Sequence, residues 1–286
     1  MQIFNESVKL IKRTTRILSK KGIVNKELKF FFKPIDYVRT IELPVVLTLS
    51  KIITEKERKL KILDISSPQI LSASLAQISN NWSIIYINPF EPELHEMEKI
   101  KRIMNLKNIT TVKVDVTNQN ILDELPHKFD YIFSSSVIEH IHPENGGDSI
   151  AVKNVVKLLD ENGLFIFSVP FYKKGFNEYK SGDVYSIKGK KNKTIFFQRF
   201  YDEERLYNQI IKPSGLYVQS KMFLGERFYY PNNINKRFAQ LMSSKISSVL
   251  FGKLFYLLSK VFMIYSENHV ELQKPYIVVA SLRKPK

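Results

Sequence analysis

The sequence predicts an α/β fold, with a Rossmann-like, mostly parallel sheet of seven strands and helices on both faces. The first observation behind this prediction is a series of short apolar runs that alternate with amphipathic stretches of helical length. The second is that polar side chains follow directly after several of these runs, where parallel sheets bind their ligands. We therefore expect a sheet domain over residues 60–286, an N-terminal helical cap over residues 1–59 and a helical insert over about residues 226–272 before the last strand.

The strands are predicted from apolar and β-branched runs that turn residues bound on both sides. The first run begins near Lys61 and ends in Asp64, before the turn Ser66-Ser67-Pro68. Helices over Glu91–Met104 and Ser149–Leu159 supply crossovers, which favour parallel pairing of the first five strands. The other six predicted strands are Ser83–Asn88, Thr111–Val116, Phe129–Ser134, Leu164–Pro170, Leu216–Leu224 and Pro275–Leu282.

Helical spacing and turn residues also mark segments outside these strands. In the cap, Glu42–Ile53 is predicted as a helix with a proline in its first turn. Residues 171–200 are polar with scattered glycines and indicate a loop or lid. Asp202 then has the character of an N-cap for a helix that runs to Ile211.

The insert contains the most apolar stretch of the chain, Ile246–Tyr265. Lys253 and Lys260 interrupt it, so it falls short of the roughly 18 apolar residues that a membrane-spanning helix needs. Two interpretations stay open. The helix is either buried in a homodimer or on the sheet, or it rests on an anionic membrane surface with its lysines toward the head groups.

Composition narrows the class of protein. The chain has no cysteine, which excludes disulfides and thiolate metal sites, and its five histidines lack ligand spacing, so we predict no metal. Without a signal peptide in the sequence we expect a cytoplasmic protein, with peripheral membrane contact as the further hypothesis above. The net charge of +16 attracts phosphate-rich partners, but the basic residues are spread along the chain, and a solvated surface explains them equally well.

The ordered set of motifs resembles the class I S-adenosylmethionine-dependent methyltransferases. The matching segments are ILDISSP (62–68), YINPFEPE (86–93), VKVDVTN (112–118), FDYIFSSSVIEHI (129–141), LLDENGLFIFSVP (158–170) and RFYDEERLYNQIIKPSGLYV (199–218). They cover about residues 60–225, and the fourth and fifth are the most specific. The resemblance implies S-adenosyl-L-methionine as the cofactor and methyl transfer to oxygen or nitrogen of a small-molecule, sugar or lipid-linked acceptor.

The resemblance also implies which residues hold the methionine and ribose parts of the cofactor. Asp64 stands at the acidic position after the first strand, and Ser66 and Ser67 replace glycines that let the backbone approach the ligand. The ribose carboxylate falls on Asn88, with Glu91 a short distance along as a substitute. Without the resemblance, the first motif is an ordinary strand-to-helix turn with an N-cap.

At the adenine and sulfonium ends, the resemblance assigns four more residues. Asp115 corresponds to the residue that binds the adenine amino group, and Val116 packs on the ring. Ser134 and Ser135 lie beneath the sulfonium. The structural alternative for Asp115 is a loop cap.

Glu139 and His140 are the candidate catalytic residues. The imidazole of His140 suits a general base for a hydroxyl acceptor at neutral pH, whereas in the structural alternative Glu139 closes the site and His140 satisfies backbone carbonyls. The candidate substrate-binding residues, for which ordinary packing is the alternative explanation, are Tyr37, Arg39, Phe171 and Tyr172.

Two other functions stay open. An RNA methyltransferase is favoured by the net charge and by Lys188–Lys193, but the chain lacks the aromatic–basic interleaving that stacks bases, and Ser134-Ser135-Ser136-Val137 replaces the Asn/Asp-Pro-Pro-Tyr of amino-methylating enzymes. A catalytically inactive scaffold is favoured by the missing glycines and ribose carboxylate.

Overall fold

The computed structural model describes residues 1–20, 38–126, 128–183, 193–227 and 261–284. Within the described residues, two helices precede the sheet: α1 (Gln2–Lys20) and α2 (Arg39–Ser50), which a 3-10 turn follows at Ile52–Glu55. In α1, Ile11 and Leu18 are buried against the rest of the protein, which fits the apolar spacing of that segment.

The main sheet of the described residues has eight strands. In chain order, the strands of this sheet and of a separate hairpin are β1 (Leu60–Ile65), β2 (Trp82–Ile87), β3 (Ile109–Val112), β4 (Phe129–Ser135), β5 (Leu159–Pro170), β6 (Phe176–Ser181), β7 (Thr194–Phe200), β8 (Tyr217–Glu226), β9 (Met263–Ser266) and β10 (Lys274–Arg283). The order in the main sheet is β3-β2-β1-β4-β5-β10-β8-β9, parallel from β3 to β5 and antiparallel at every pair beyond β5. The separate antiparallel hairpin is formed by β6 and β7.

Helices connect the strands and cover both faces of the sheet. The connecting helices are α3 (Gln69–Ala76), α4 (Glu91–Met104), α5 (Ile121–Glu124), α6 (Gly147–Leu158), α7 (Glu203–Leu206) and α8 (Lys212–Ser214). A cluster of buried side chains from α1, α2, α3 and α4 packs on one face, and a second cluster from α5, α6, α7 and the turn after α7 packs on the other. Consecutive strand residues point to opposite clusters, as Ile62 and Leu63 do.

The predicted fold class is confirmed, and the count of seven strands is corrected to eight. The additional strand, β9, pairs antiparallel with Phe223–Glu226 at the edge of the sheet. The third strand ends at Val112, where its partner β2 ends at Ile87, so the predicted continuation to Val116 is wrong. The fifth strand begins five residues earlier than predicted, at Leu159.

The predicted loop over residues 171–200 is largely the hairpin β6–β7. Its first strand is polar and mostly exposed, so it lacks the apolar alternation that predicts a strand. The helix after Asp202 forms as predicted and continues past Ile211, through a π turn at Tyr207–Ile211, to Ser214.

Several predictions fall outside the described residues. These include most of the apolar insert, with its membrane and homodimer hypotheses, and the lysine-rich segment 188–192. Tyr37, one of the candidate substrate-binding residues, also lies outside. Among the helices that the structure describes, none combines the length and hydrophobicity needed to cross a membrane.

Candidate active site

The turn between β1 and α3 is closed by its serines. Ser66 adopts a left-handed conformation, with φ of +53°, which glycine adopts most readily. Its backbone N–H and its Oγ both donate to the carbonyl of Ile87 at 2.9 Å, which fixes the turn to the end of β2. Ser67 Oγ accepts the backbone N–H of Ser135 at 2.9 Å. The sharp turn therefore forms without glycine.

Asp64 holds this turn from inside. Its side chain is fully buried, and Oδ1 accepts the backbone N–H of Ser67 at 3.0 Å while Oδ2 accepts the hydroxyl of Ser72 in α3. Burial raises the pKa of Asp64 to about 6, and the hydrogen bonds from Ser67 and Ser72 counteract part of that effect. Asp64 thus acts on the shape of the turn, since its carboxylate oxygens face these serines.

The end of β2 does not present a carboxylate to a ligand. Asn88 is buried, its Oδ1 accepts the backbone N–H of Phe90 at 2.9 Å, and its Nδ2 lies 3.5 Å from the Tyr86 hydroxyl. Glu91 is exposed and forms an ion pair with Lys113 at 2.7 Å, which lowers the pKa of Glu91. Asn88 carries an amide and the carboxylate of Glu91 faces the surface, so neither residue points a carboxylate toward the expected ribose position.

The segment after β3 brings Asp115 to the surface and Val116 into the core. Asp115 Oδ1 accepts the backbone N–H and the hydroxyl of Thr117 at 2.8 and 2.7 Å, so the loop cap of the structural alternative is present. Val116 packs beneath α6, and its carbonyl accepts from Asn154 Nδ2 at 2.9 Å.

A buried carboxylate from α2 joins the ends of β4 and β5. Glu42 Oε1 accepts the hydroxyls of Ser135, Ser136 and Ser168 at 3.1, 2.7 and 2.6 Å. Its Oε2 forms an ion pair with Arg39, whose side chain is 27% exposed. Helix α2 is therefore anchored at the carboxyl edge of the sheet, and Arg39 places a positive charge there. Glu42 was not among the predicted site residues, although it is the single acidic residue of a largely apolar helix, and that contrast is its signal in the sequence.

Two buried oxygen atoms near the end of β4 have no hydrogen-bond partner among the described residues. They are Ser134 Oγ and Glu139 Oε2. Burial raises the pKa of Glu139 to about 8, with the charge of Glu42 acting in the same direction and the charges of Arg39 and Arg199 against it. Glu139 is therefore mainly protonated at neutral pH.

His140 is held as a neutral imidazole. Its Nδ1 lies 2.7 Å from the carbonyl of Phe197, which accepts only, so Nδ1 carries the proton. Its Nε2 lies 3.7 Å from Glu139 Oε1. Burial lowers the pKa of His140 to about 4, although the bond to Phe197 opposes this, and the side chain remains 21% exposed. Both the base and the carbonyl-satisfying interpretations of His140 match this geometry.

Arg199 of β7 is a residue of this site that the sequence did not reveal. Its guanidinium is buried and donates to backbone carbonyls of residues 139–144, the segment that carries Glu139 and His140. Backbone carbonyls have no signature in a sequence, so no pattern marks their partner.

The two described aromatic residues that were predicted to bind the acceptor differ in their exposure. Phe171 is buried and packs against Phe223 and His269, so its ring belongs to the core. Tyr172 is 43% exposed and packs edge-on against Phe176, with ring centroids 5.7 Å apart. Phe176 in turn stacks on Phe200 at 4.5 Å, which gives a partly exposed row of three rings.

Comparisons with known proteins identify the fold. No protein-family model matches the chain, and no curated relative matches it. Among solved structures, the chain is similar to coclaurine N-methyltransferase bound to N-methylheliamine and S-adenosylhomocysteine, with 14% identity, a TM-score of 0.55, and 98% of this chain and 88% of that chain covered. This likeness shows that the chain has the class I S-adenosylmethionine-dependent methyltransferase fold.

Two further solved structures match with lower scores. The N-methyltransferase NodS from Bradyrhizobium japonicum WM9 has 10% identity, a TM-score of 0.49, and coverage of 96% of this chain and 99% of that chain. The O-methyltransferase from a polyketide synthase multienzyme of Brevibacillus brevis has 10% identity, a TM-score of 0.49, and coverage of 90% and 79%.

Some residues at the carboxyl edge have the chemistry that S-adenosylmethionine requires. The left-handed turn at Ser66 has the backbone shape of such a turn, and Ser134, near the end of β4, has a buried hydroxyl without a partner among the described residues. At the other end, Asp115 offers an exposed carboxylate. Between these ends, Asn88 supplies an amide where a ribose-binding carboxylate is expected, so the fit is weakest there.

Proposed function

We propose that this protein transfers a methyl group from S-adenosyl-L-methionine to an oxygen or nitrogen atom of a small-molecule, sugar or lipid-linked acceptor. The observation that carries the proposal is the position of Glu139 and His140 beside the serine-lined ends of β4 and β5. This is the edge at which open α/β sheets bind their ligands. The structure of coclaurine N-methyltransferase, which shares the fold, contains N-methylheliamine and S-adenosylhomocysteine, which supports this class of acceptor.

The cofactor supplies, when bound, a methyl group already activated on a positively charged sulfur. The chain's task is therefore to orient the acceptor, exclude water and manage one proton. The turn at Ser66 and Ser67 and the carboxylate of Asp115 would hold the two ends of the cofactor. Tyr172 and Arg39 are the described candidates for acceptor contact, because both are partly exposed next to this edge.

His140 would take the proton of a hydroxyl or amine acceptor at Nε2. Its Nδ1–H stays on the carbonyl of Phe197, so the ring keeps Nε2 as the accepting atom. Glu139 adjoins that atom, and an ionised Glu139 stabilises the imidazolium that forms. Because burial raises the pKa of Glu139 to about 8, His140 becomes a stronger base as the pH rises through that value.

The test is calorimetric binding of S-adenosylmethionine and S-adenosylhomocysteine to the whole protein. Asp115→Ala is the informative variant because Asp115 is exposed, whereas replacement of the buried Asp64 would also disturb the turn. Glu161→Ala, an exposed acidic residue at the opposite end of β5, is the matched control. Micromolar binding that Asp115→Ala weakens about tenfold or more, and Glu161→Ala does not, supports the cofactor site.

A catalytically inactive scaffold is the second candidate, and one observation favours it. The Asn88 oxygen is already used by Phe90, and Glu91 is paired with Lys113 at the surface. Loss of a charge-assisted ribose contact weakens cofactor binding. If neither ligand binds at about millimolar concentration, the methyltransferase proposal is wrong and the scaffold is favoured.

A further inference from the structure

The guanidinium of Arg199 is surrounded by backbone carbonyls of one short segment. Nη1 donates to the carbonyls of Glu139 and Ile141 at 3.2 and 2.9 Å, and Nη2 donates to those of Pro143 and Glu144 at 2.8 and 2.5 Å. We call residues 139–144 the clamped segment. The side chain is only 2% exposed, so these bonds replace the water that a charged group would otherwise keep.

The positive charge of Arg199 does not by itself require four carbonyl contacts. Arg199 Nε already lies 3.4 Å from Asp148 Oδ2, and Asp148 also accepts the hydroxyl of Tyr201 at 2.9 Å. One buried carboxylate is enough to pair one guanidinium. The four carbonyl contacts therefore have another consequence: they fix the backbone of the clamped segment, in addition to the bond that the Pro143 carbonyl accepts from the N–H of Gly147 at 3.0 Å.

The hairpin β6–β7 holds the clamped segment at two other points. From β7, the carbonyl of Phe197 accepts His140 Nδ1–H at 2.7 Å. From β6, Asn177 Nδ2 donates to Glu144 Oε1 at 2.7 Å, and the hydroxyl of Tyr179 donates to the same oxygen. The geometry thus joins the hairpin and the clamped segment into one body.

We propose that Arg199 is a positioning residue: its planar fork, bonded to the clamped segment, sets the orientation of the His140 ring against Phe197 and Glu139. The catalytic meaning of this orientation rests on the proposed function, but the orientation itself is a property of the ligand-free protein. A lysine at this position keeps the positive charge but cannot reach four carbonyls in two directions. Replacement of Arg199 by lysine therefore distinguishes the effect of its charge from the effect of its hydrogen bonds.

The pKa of His140 reports whether the charge of Arg199 or the geometry of its hydrogen bonds matters, because several neighbouring groups act on that pKa. Burial is the main cause of its lowered pKa, and the neighbouring cations Lys180 of β6, Arg39 of α2 and Arg199 of β7 act in the same direction. Glu139 adjoins Nε2 on the other side. If the two-pronged contact is lost and the charge is kept, the cationic contribution stays. The release of burial then raises the pKa of His140, and the loss of the Phe197 bond, the smaller of the two causes, partly offsets that rise.

The experiment is an NMR titration of the histidine side chains in the ligand-free protein, from about pH 3 to about pH 9. The chain has five histidines, and a His140→Gln variant assigns the signal. In the wild type we expect a pKa far below 6.5 and a single Nδ1–H tautomer. In Arg199→Lys we expect the pKa to rise by about one unit or more and both tautomers to be populated.

Glu144→Ala is the matched control. It removes the bonds from Asn177 and Tyr179 and leaves the backbone carbonyl that Arg199 contacts. We expect it to leave the His140 titration unchanged. If Arg199→Lys also leaves it unchanged, or if Glu144→Ala shifts it as much, Arg199 does not set the ring and the inference is wrong.

Arg199→Lys could fail to fold, and a measurement on the wild type covers that case. In nitrogen-15 spectra of the arginine side chains, a clamped Arg199 gives separate, slowly exchanging Nη–H signals with contacts to the ring of Phe196, which lies 4.7 Å from its guanidinium carbon. Absence of such signals contradicts the clamp. Neither readout involves a methyl donor, so failure of the proposed function and failure of this inference are distinguishable.

Discussion

The backbone N–H of Ser135, near the end of β4, donates to the side-chain Oγ of Ser67, in the turn after β1, at 2.9 Å. The two residues are 68 positions apart in the chain, and both are buried. This bond ties the proposed cofactor turn to the strand that leads into Glu139 and His140. The two halves of the candidate site therefore keep a fixed distance without a ligand.

Ser67→Ala should destabilise the protein by about 1–3 kcal/mol, because it leaves the buried N–H of Ser135 unpaired. Urea unfolding measures the change. Ser83→Ala, at an exposed position on β2, is the control and should stay within about 0.5 kcal/mol of the wild type. Equal effects of the two substitutions would mean that the bond does not contribute.

Glu42→Gln should destabilise the protein by about 2–4 kcal/mol, since it leaves Arg39 without its carboxylate and brings a donor amide toward three serine hydroxyls. Thermal and urea unfolding report this change. Glu55→Gln is matched, because Glu55 and Arg58 form an exposed ion pair of the same sequence spacing. Its cost should stay below about 0.5 kcal/mol, and a similar cost for both variants would contradict the buried role of Glu42.

Glu139 should make the free energy of unfolding fall between about pH 4.5 and pH 8. Burial raises its pKa to about 8, so the folded protein binds more protons than the unfolded chain, and stability is lost as the pH rises through that value. Asp64, raised to about 6, has the same sign at lower pH, whereas the lowered pKa of His140 opposes it below about pH 6.5. Glu139→Gln should flatten the curve of unfolding free energy against pH between about pH 6.5 and pH 8, where His140 no longer contributes, and an unchanged slope there would contradict the raised pKa.

Asn88→Asp should strengthen S-adenosylhomocysteine binding several-fold, by about 1 kcal/mol, if the proposed cofactor site is correct. An aspartate retains the acceptor for the N–H of Phe90 and adds a charged acceptor in place of Nδ2. Calorimetry measures the gain. Glu91→Gln is the comparison and should have no effect, because Glu91 is exposed and paired with Lys113; weaker binding in that variant would restore Glu91 as the ribose contact.

Local signals were sufficient for the regular elements. The helix Glu91–Met104 forms over the predicted residues because acidic residues and a proline begin it and Asn105, with φ of +54°, ends it in a left-handed cap. The third strand shows the limit of such signals. Its alternation continues to Val116, but the strand stops at Val112, where β2 no longer offers a partner.

The candidate site also has one part that the sequence predicted and one part that it did not. The ordered motifs brought Asp64, Asp115, Glu139 and His140 to one edge of a predicted sheet, because strand order follows from alternating strands and crossover helices. The bonds that Glu42 accepts from three serines and the bond between Ser67 and Ser135 join residues that are between 68 and 126 positions apart. No local pattern encodes contacts of that range.

The sequence by itself determined the fold class, the strands that carry the polar edge and the residue types available there, because these depend on periodicity and on turn and cap residues close in the chain. The tertiary structure decided which of those residues face each other and in which protonation state. Burial made Glu139 a neutral acid and His140 a neutral imidazole, and Arg199 fixed their segment through backbone carbonyls. Desolvation and carbonyl direction arise only when distant segments pack, so only the folded protein contains them.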